Sequence, residues 1–312
     1  MKHKDMIMEN NLVAKSNDLV VASYALTRHE QNLLLACVSQ INSLPDAPIV
    51  SIESRFTVTV EQIKDLFYRG STERNAYRDL KKAADHLFER EVTIKLDKDE
   101  TLRTRFVSSV KFQPNDSQVT LRFAEDILPY LTQLKNNFTR YRLADTVELT
   151  SVYAVRLYEI IVCWQGQNRW SETLDLDDFR YMMGVEDKYR QFSNLRDRVI
   201  ETAVEQINEN TNYNVTVSYR KVKREHRSVT FKFYKKGAIS LTDDKGALSL
   251  DKIRRIVRSA QFTADYNDHQ LLSVEARDSN EAFWAKAEQL IAESPKEFSK
   301  RPFNDYLKIK TD

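Results

Sequence analysis

Residues 188–198, KYRQFSNLRDR, concentrate the side chains best suited to bonding a nucleic acid. Lys188, Tyr189, Arg190, Gln191, Ser193, Asn194, Arg196 and Arg198 bring cations, hydroxyls and amides to the start of a helical pattern. A guanidinium bonds guanine O6 and N7 together, and a carboxamide does the same for adenine. Hydroxyls and ammonium groups serve phosphate oxygens. The far end of the pattern, Glu201 to Glu209, is acidic. That polarity opposes the helix dipole, which favours acids at the N-terminus and bases at the C-terminus; an anionic ligand at the basic end would offset the cost.

A second concentration follows at residues 214–236, NVTVSYRKVKREHRSVTFKFYKK, which alternate as a β-hairpin does. From Tyr219 to Lys236 there are eight Lys/Arg and one Glu, in a chain whose net charge is only +2. A solvated edge strand guarded by charge is one reading; a grip on phosphate is the other. Val215, Val217, Tyr219, Val229, Phe231 and Phe233 would face a core, leaving Arg220, Lys221, Lys223, Arg224 and Arg227 around the tip. A third candidate is the helical pattern STERNAYRDLKKAADHLFER. Its apolar stripe is Ala76, Tyr77, Leu80, Ala84, Leu87 and Phe88, opposed by Ser71, Asn75, Arg78 and Lys82, with Arg74 and Lys81 alongside. Charged outer faces are common, so this one is also read as an ordinary solvated face.

Catalytic chemistry finds little footing. The five glycines (70, 166, 184, 237 and 246) never take P-loop spacing. The five histidines are scattered without a His-x-His pair, and neither Cys37 nor Cys163 has a partner at zinc-ligand spacing. We expect no cofactor and no metal, and an enzyme is not the expectation. Asp175, Asp177 and Asp178 are helix-start residues by position. A metal-dependent nuclease built from dispersed carboxylates stands as the third reading.

The elements that must position these residues come in two similar sets. Thr27 and Glu30 have capping-box spacing ahead of Leu34, Cys37, Val38 and Ile41. FTVTVEQIKDLF is a short strand running into a helix, and the Ser71–Arg90 helix follows. EVTIKLD, TRFVSSVKF and SQVTLRFAEDI then alternate as strands. The order recurs: a helix begun by Thr150 and Ser151, the strand and helix LDLDDFRYMMG, the Lys188–Asn208 helix and the basic hairpin. A shift of about 115 residues places Leu195 on Leu80. Helices followed by a β-hairpin wing make a winged helix, whose third helix enters the major groove. The expected fold is therefore α+β: two tandem winged-helix domains of similar topology, residues 1–143 and 144–236, and a helical appendix at 237–312. In the appendix SLTDDKGALSL is a linker, and Phe283, Trp284, Leu290 and Ile291 dock on the body or meet a partner.

At 312 residues and 41% hydrophobic, the chain has material for about two domains. Its longest apolar run is Leu33 to Val38, so nothing is long enough to span a membrane. The N-terminus lacks the apolar block of a signal peptide, and the two cysteines fit buried, reduced thiols. A cytoplasmic protein is expected.

Three stretches resemble a known family: NDLVVASYALTRHEQNLLLACVSQI, LPYLTQLKNNFTRYRLADTVELTSVYAVRLYE and LRDRVIETAVEQIN. They are similar to the iteron-binding replication initiators of theta-replicating plasmids (the RepA/RepE type) over roughly residues 10–236. The most specific pieces are Phe138–Leu143 and Ser151–Glu159. The resemblance implies binding of double-stranded DNA at the direct repeats of a plasmid origin, through both winged helices. It also implies origin opening, recruitment of a host initiator and the replicative helicase, and a dimer, joined through the first domain, that represses its own gene at an inverted repeat. Base reading would centre on Asn194, Arg196, Asp197 and Arg198. Asp197 departs from the basic residues common there in the family; it accepts from cytosine N4 or pairs with Arg190. The VYAVRLYE segment is read as a helix packing the two domains. A winged-helix transcriptional regulator without initiation activity is the alternative.

Overall fold

Thr27 and Glu30 cap each other as their spacing predicts. Thr27 N donates to Glu30 Oε2 at 2.9 Å, and Glu30 N donates to Thr27 Oγ1 at 3.4 Å. In the computed structural model this box opens the first long helix, Arg28–Val38. The described residues are 11–42, 50–67, 76–97, 100–132, 134, 136–167, 169–223, 225–236, 250–267, 272, 280–293, 298 and 306. The chain runs β1 (Leu12–Ser16), α1 (Asn17–Val20), α2 (Arg28–Val38), β2 (Phe56–Thr59), α3 (Val60–Phe67) and α4 (Ala76–Glu89). Then come β3 (Glu91–Asp97), β4 (Glu100–Arg105), β5 (Val107–Gln113), β6 (Gln118–Phe123) and β7 (Phe138–Arg142). The buried Glu30 carboxylate also takes Arg90 Nε at 2.8 Å and Nη2 at 2.9 Å, tying the end of α4 to the start of α2.

The second set is α5 (Val152–Gly166), β8 (Ser171–Asp175), α6 (Leu176–Met183), α7 (residues 192–210), β9 (Tyr213–Val222) and β10 (Glu225–Lys235). Both halves build the same antiparallel sheet, in the order β2-β6-β5 and again β8-β10-β9. In each, the strand before the helix-turn-helix pairs with the last strand of the wing, as Phe56 with Leu121 and Leu174 with Val229. The inward residues alternate as the pattern requires: Val119, Leu121 and Phe123 on β6, and Val229, Phe231 and Phe233 on β10, are all buried. Val215 is buried too, whereas Val217 and Tyr219 are half-buried against the core.

The first half differs from expectation at its hairpins. TRFVSSVKF is not one strand: it breaks at Phe106, whose ring is buried edge-on against Tyr24 and whose carbonyl accepts from Ala124 N at 3.0 Å. The break frees β3 and β4 to form a separate two-stranded ribbon, and the first wing is β5–β6.

Helix α5 carries VYAVRLYE and is buried on nearly every side, from Ala154 through Ile161. Its polar members are paired. Lys15 Nζ of β1 meets Glu159 Oε1 at 2.6 Å, and the Tyr141 hydroxyl of β7 donates to the same oxygen. Arg156 Nη2 donates to the carbonyls of Ala22 at 2.9 Å and Met182 at 2.7 Å, and its guanidinium lies over the Tyr24 ring. Residues from both halves thus share one core and one buried ion network, within a compact unit spanning Met1–Phe233.

Tyr234–Asp312 form a second unit. Its helices are α8 (Leu250–Val257), α9 (Ala260–Tyr266) and α10 (Asn280–Glu293). Phe283 and Ile291 were expected to dock on the body or a partner. They instead close a core of their own with Ile253, Ile256, Val257, Phe262 and Tyr266, and Trp284 and Leu290 pack against it. The physical reason is local supply: three short amphipathic helices bring enough apolar area to cover one another. The linker reading covers residues 240–250; 240–249 lie outside the described residues, and Leu250 opens α8. Among the described residues, no helix is long and apolar enough to cross a membrane.

Candidate nucleic-acid interface

The turn between α6 and α7 sets how the basic segment is displayed. Gly184 ends α6 in the left-handed conformation, φ 62°, against the Tyr24 backbone. Arg180 of α6 then reaches across the turn, donating to the carbonyls of Lys188 at 2.6 Å and Tyr189 at 2.8 Å. Tyr189 is itself left-handed, φ 51°, and its ring meets Tyr153 edge-on. These constraints correct one expectation. Lys188, Tyr189 and Arg190 do not lie on the helix; they form the turn before it, because Arg180 holds their carbonyls out of helical bonding. Lys188 and Arg190 remain exposed, while Tyr189 is half-buried.

Helix α7 is α-helical over Phe192–Leu195, π-helical over Arg196–Glu201 and α-helical again over Thr202–Asn210. Leu195, Val199, Ile200, Ala203 and Ile207 are buried. Ser193, Asn194, Asp197 and Arg198 are exposed together, and Arg196 is partly covered. The residues at 193 and 197, and at 194 and 198, are one turn apart on that outer face. Asp197 pairs with its neighbour, accepting from Arg196 Nε at 2.7 Å, and not with Arg190. The pair consumes one cation and one carboxylate, which leaves Arg198 as the exposed guanidinium between Asn194 and the acidic end of the helix.

The second wing stands beside this helix. Arg220, Lys221, Lys223 and Arg227 are exposed; Arg224 lies outside the described residues. Lys223 turns the hairpin with φ 57°, and Arg227 Nη2 pairs with Glu225 at 2.6 Å. The first wing is different: its tip is Gln113, Pro114, Asn115 and Asp116, without a cation.

On α4, Arg78, Lys81 and Lys82 are exposed on one face, opposite buried Ala76, Leu80, Ala83, Ala84 and Leu87. Lys81 Nζ sits 5.3 Å from the centroid of Phe112 on the first wing, and Arg78 Nε is 3.5 Å from Asp79. Ser71, Arg74 and Asn75 lie outside the described residues.

What relates the two helices is the contact between the halves. Besides Arg156, Tyr181 of α6 donates to the carbonyl of Thr93 on β3 at 2.7 Å, and the Ser23 hydroxyl donates to Glu186. Sequence reasoning read the VYAVRLYE helix as packing the two domains but did not single out Arg156 and Glu159 as its anchor, and it missed Arg180 as the turn's clamp. Charged residues inside an apolar helical run, as Arg156 and Glu159 are, were the available signal. Arg180 carried none.

Cys37 and Cys163 are buried, and burial pushes both thiols up. Among the described residues, no three His, Cys, Asp or Glu gather as metal ligands.

Comparison with known proteins agrees with this geometry. A family model described as "Initiator Replication protein, WH1" matches residues 12–162, and "Initiator Rep protein, WH2" matches residues 175–234. Together they take in more than half of the chain, which belongs to this family of replication initiators with two winged-helix domains. A replication initiation protein of Escherichia coli is 29% identical over 217 residues, covering 68% of this chain and 67% of its own length. An uncharacterized 27.6 kDa protein of Escherichia coli is 25% identical over 209 residues, covering 64% of this chain and 85% of its own. Among solved structures, that of the Pi initiator protein in complex with iteron DNA shares the fold, with TM-score 0.60 at 18% identity. That match covers 73% of this chain and 98% of the other.

Proposed function

We propose that this initiator grips duplex DNA through both winged helices and reads direct repeats at a plasmid origin without catalysing a covalent step. The observation that carries the reading is the exposed set Ser193, Asn194, Asp197 and Arg198 on α7, flanked by the basic wing. Amide and guanidinium groups would take purine edges there, while Lys188, Arg190, Arg220, Lys221, Lys223, Arg224 and Arg227 take phosphates. In the first half Arg78, Lys81 and Lys82 face outward, and with Ser71, Arg74 and Asn75 they make the second contact. The proposed division is residues 1–143 for DNA contact and dimerisation, 144–236 for most of the sequence reading, and 237–312 as the appendix. Opening of the origin, recruitment of a host initiator and helicase, repression by a dimer at an inverted repeat, and a cytoplasmic location complete the reading.

The test is fluorescence-anisotropy binding to the direct repeats beside its own gene, against scrambled DNA, over a salt series. A preference of about a thousandfold with a steep salt slope is the expected result. Equal, weak binding to both overturns the reading. Duplex distortion on supercoiled origin DNA separates an initiator from a regulator that only binds, and magnesium-dependent cleavage would bring back the nuclease.

A further inference from the structure

Phe192, the first residue of α7, is stacked by a residue of the wing. The His226 ring of β10 lies flat on it, with centroids 3.7 Å apart and planes 10° from parallel. Tyr219 of β9 meets Phe192 edge-on at 5.2 Å and 82°. Its hydroxyl donates to Glu201 Oε1, farther along α7, at 2.7 Å. The wing therefore holds the helix at two points, through both of its strands.

Two features say what this cluster is for. Arg220, Lys221, Val222, Lys223 and Glu225 are all exposed, so among the described residues the cluster is the outermost packing on the hairpin before its tip. His226 Nδ1 is covered and has no hydrogen-bond partner. Burial, then Lys221 and Arg196, hold the imidazole below its usual pKa, so the ring is neutral and serves by its stacking face. Those two cations come from opposite partners, one from the wing and one from the helix.

We propose that Phe192, Tyr219 and His226 form a clasp that positions the second wing against the reading helix, so that wing and helix meet DNA as one rigid surface. The idea rests on the DNA-binding reading above. His226 is a positioning residue on this account: it acts through Phe192 and needs no contact with phosphate.

Two variants of the full chain test it. His226→Ala removes the stacking face; His226→Phe keeps the face and removes the nitrogens. In the free protein, amide hydrogen exchange over residues 219–227 should quicken in His226→Ala and stay unchanged in His226→Phe. On direct-repeat DNA, His226→Ala should lower the salt slope by about one to two units, the equivalent of one or two phosphate contacts, although no cation has been removed. His226→Phe should restore the slope. If His226→Phe binds as poorly as His226→Ala, the imidazole works through its own nitrogen and the clasp is wrong. A His226→Ala chain with unchanged exchange and slope sinks the clasp alone. A wild-type chain with no preference for direct repeats sinks the DNA-binding reading, and the proposal with it.

Discussion

Replacing Gly184 by alanine would disturb the structure where the reading turn meets the other half of the molecule. Two costs can be worked separately. The residue sits at φ 62°, and a left-handed conformation costs an L-residue about 1–2 kcal/mol. A Cβ there would also fall well inside 3.0 Å of the Tyr24 carbonyl oxygen and 3.1 Å from Ala25 N. Both neighbours are backbone, so no flexible side chain can swing away. Relief requires shifting the Tyr24 segment or the α6–α7 turn, and overpacking of this kind costs about 1–3 kcal/mol. Gly184→Ala should therefore destabilise the two-winged unit by about 2–5 kcal/mol. Gly166→Ala is the control: at the end of α5, with nothing within 4 Å, it should be neutral or stabilising by up to about 1 kcal/mol. Urea unfolding followed by far-UV circular dichroism, with midpoints and m-values compared across the three chains, measures the difference. A Gly184→Ala midpoint within about 0.5 kcal/mol of wild type would refute the argument, because it would mean the two halves slide freely at this contact.

Acid stability offers another check through Glu30. Burial by itself raises that carboxyl's pKa, but the Arg90 hydrogen bond, the Thr27 amide and the Arg90 charge outweigh it and hold it below its ordinary value of 4.5. A depressed carboxyl adds stability above its unfolded pKa and loses it as the pH falls through the folded one, so stability should drop below about pH 4.5. Glu159, fully buried, is also held low and falls in the same window: burial raises it, and Lys15 and Arg156 overcome that. Arg90→Met should raise the Glu30 pKa, so that the chain is less stable above about pH 4.5 and loses less of its stability on acidification; urea midpoints across pH 3–8 that track wild type would count against it. Asn194→Ala or Arg198→Ala should cost about 1–3 kcal/mol of binding and relax preference at one base pair, and equal losses on specific and random DNA would show that neither reads bases. Lys223→Ala should weaken binding on every sequence and lower the salt slope by about one unit; an unchanged slope would take the wing tip out of the phosphate contacts.

Much of the fold was legible because it depends on short-range rules. The capping box at Thr27 and Glu30, the apolar stripe of α4 and the alternation of β9 and β10 each follow from the period of a helix or strand. Their repetition about 115 residues apart announced two similar domains. Charge crowding at residues 188–198 and 219–236 pointed to the candidate interface before any coordinate did.

What sequence could not settle depended on which distant segments meet. The break at Phe106 reflects a ring buried against Tyr24, more than eighty residues earlier in the chain, and no local propensity marks it. Lys188, Tyr189 and Arg190 continue a helical pattern, yet Arg180 claims their carbonyls and holds them in a turn. Phe283 and Ile291 read as a sticky face until the partners that cover them, in the same appendix, are placed. Local composition determined which residues are basic, which are buried and in what order the elements come. Only the tertiary contacts of Arg156, Gly184 and His226 decided how those elements face one another, because a hydrogen bond or a stacked ring is specified by position in space and not by separation along the chain.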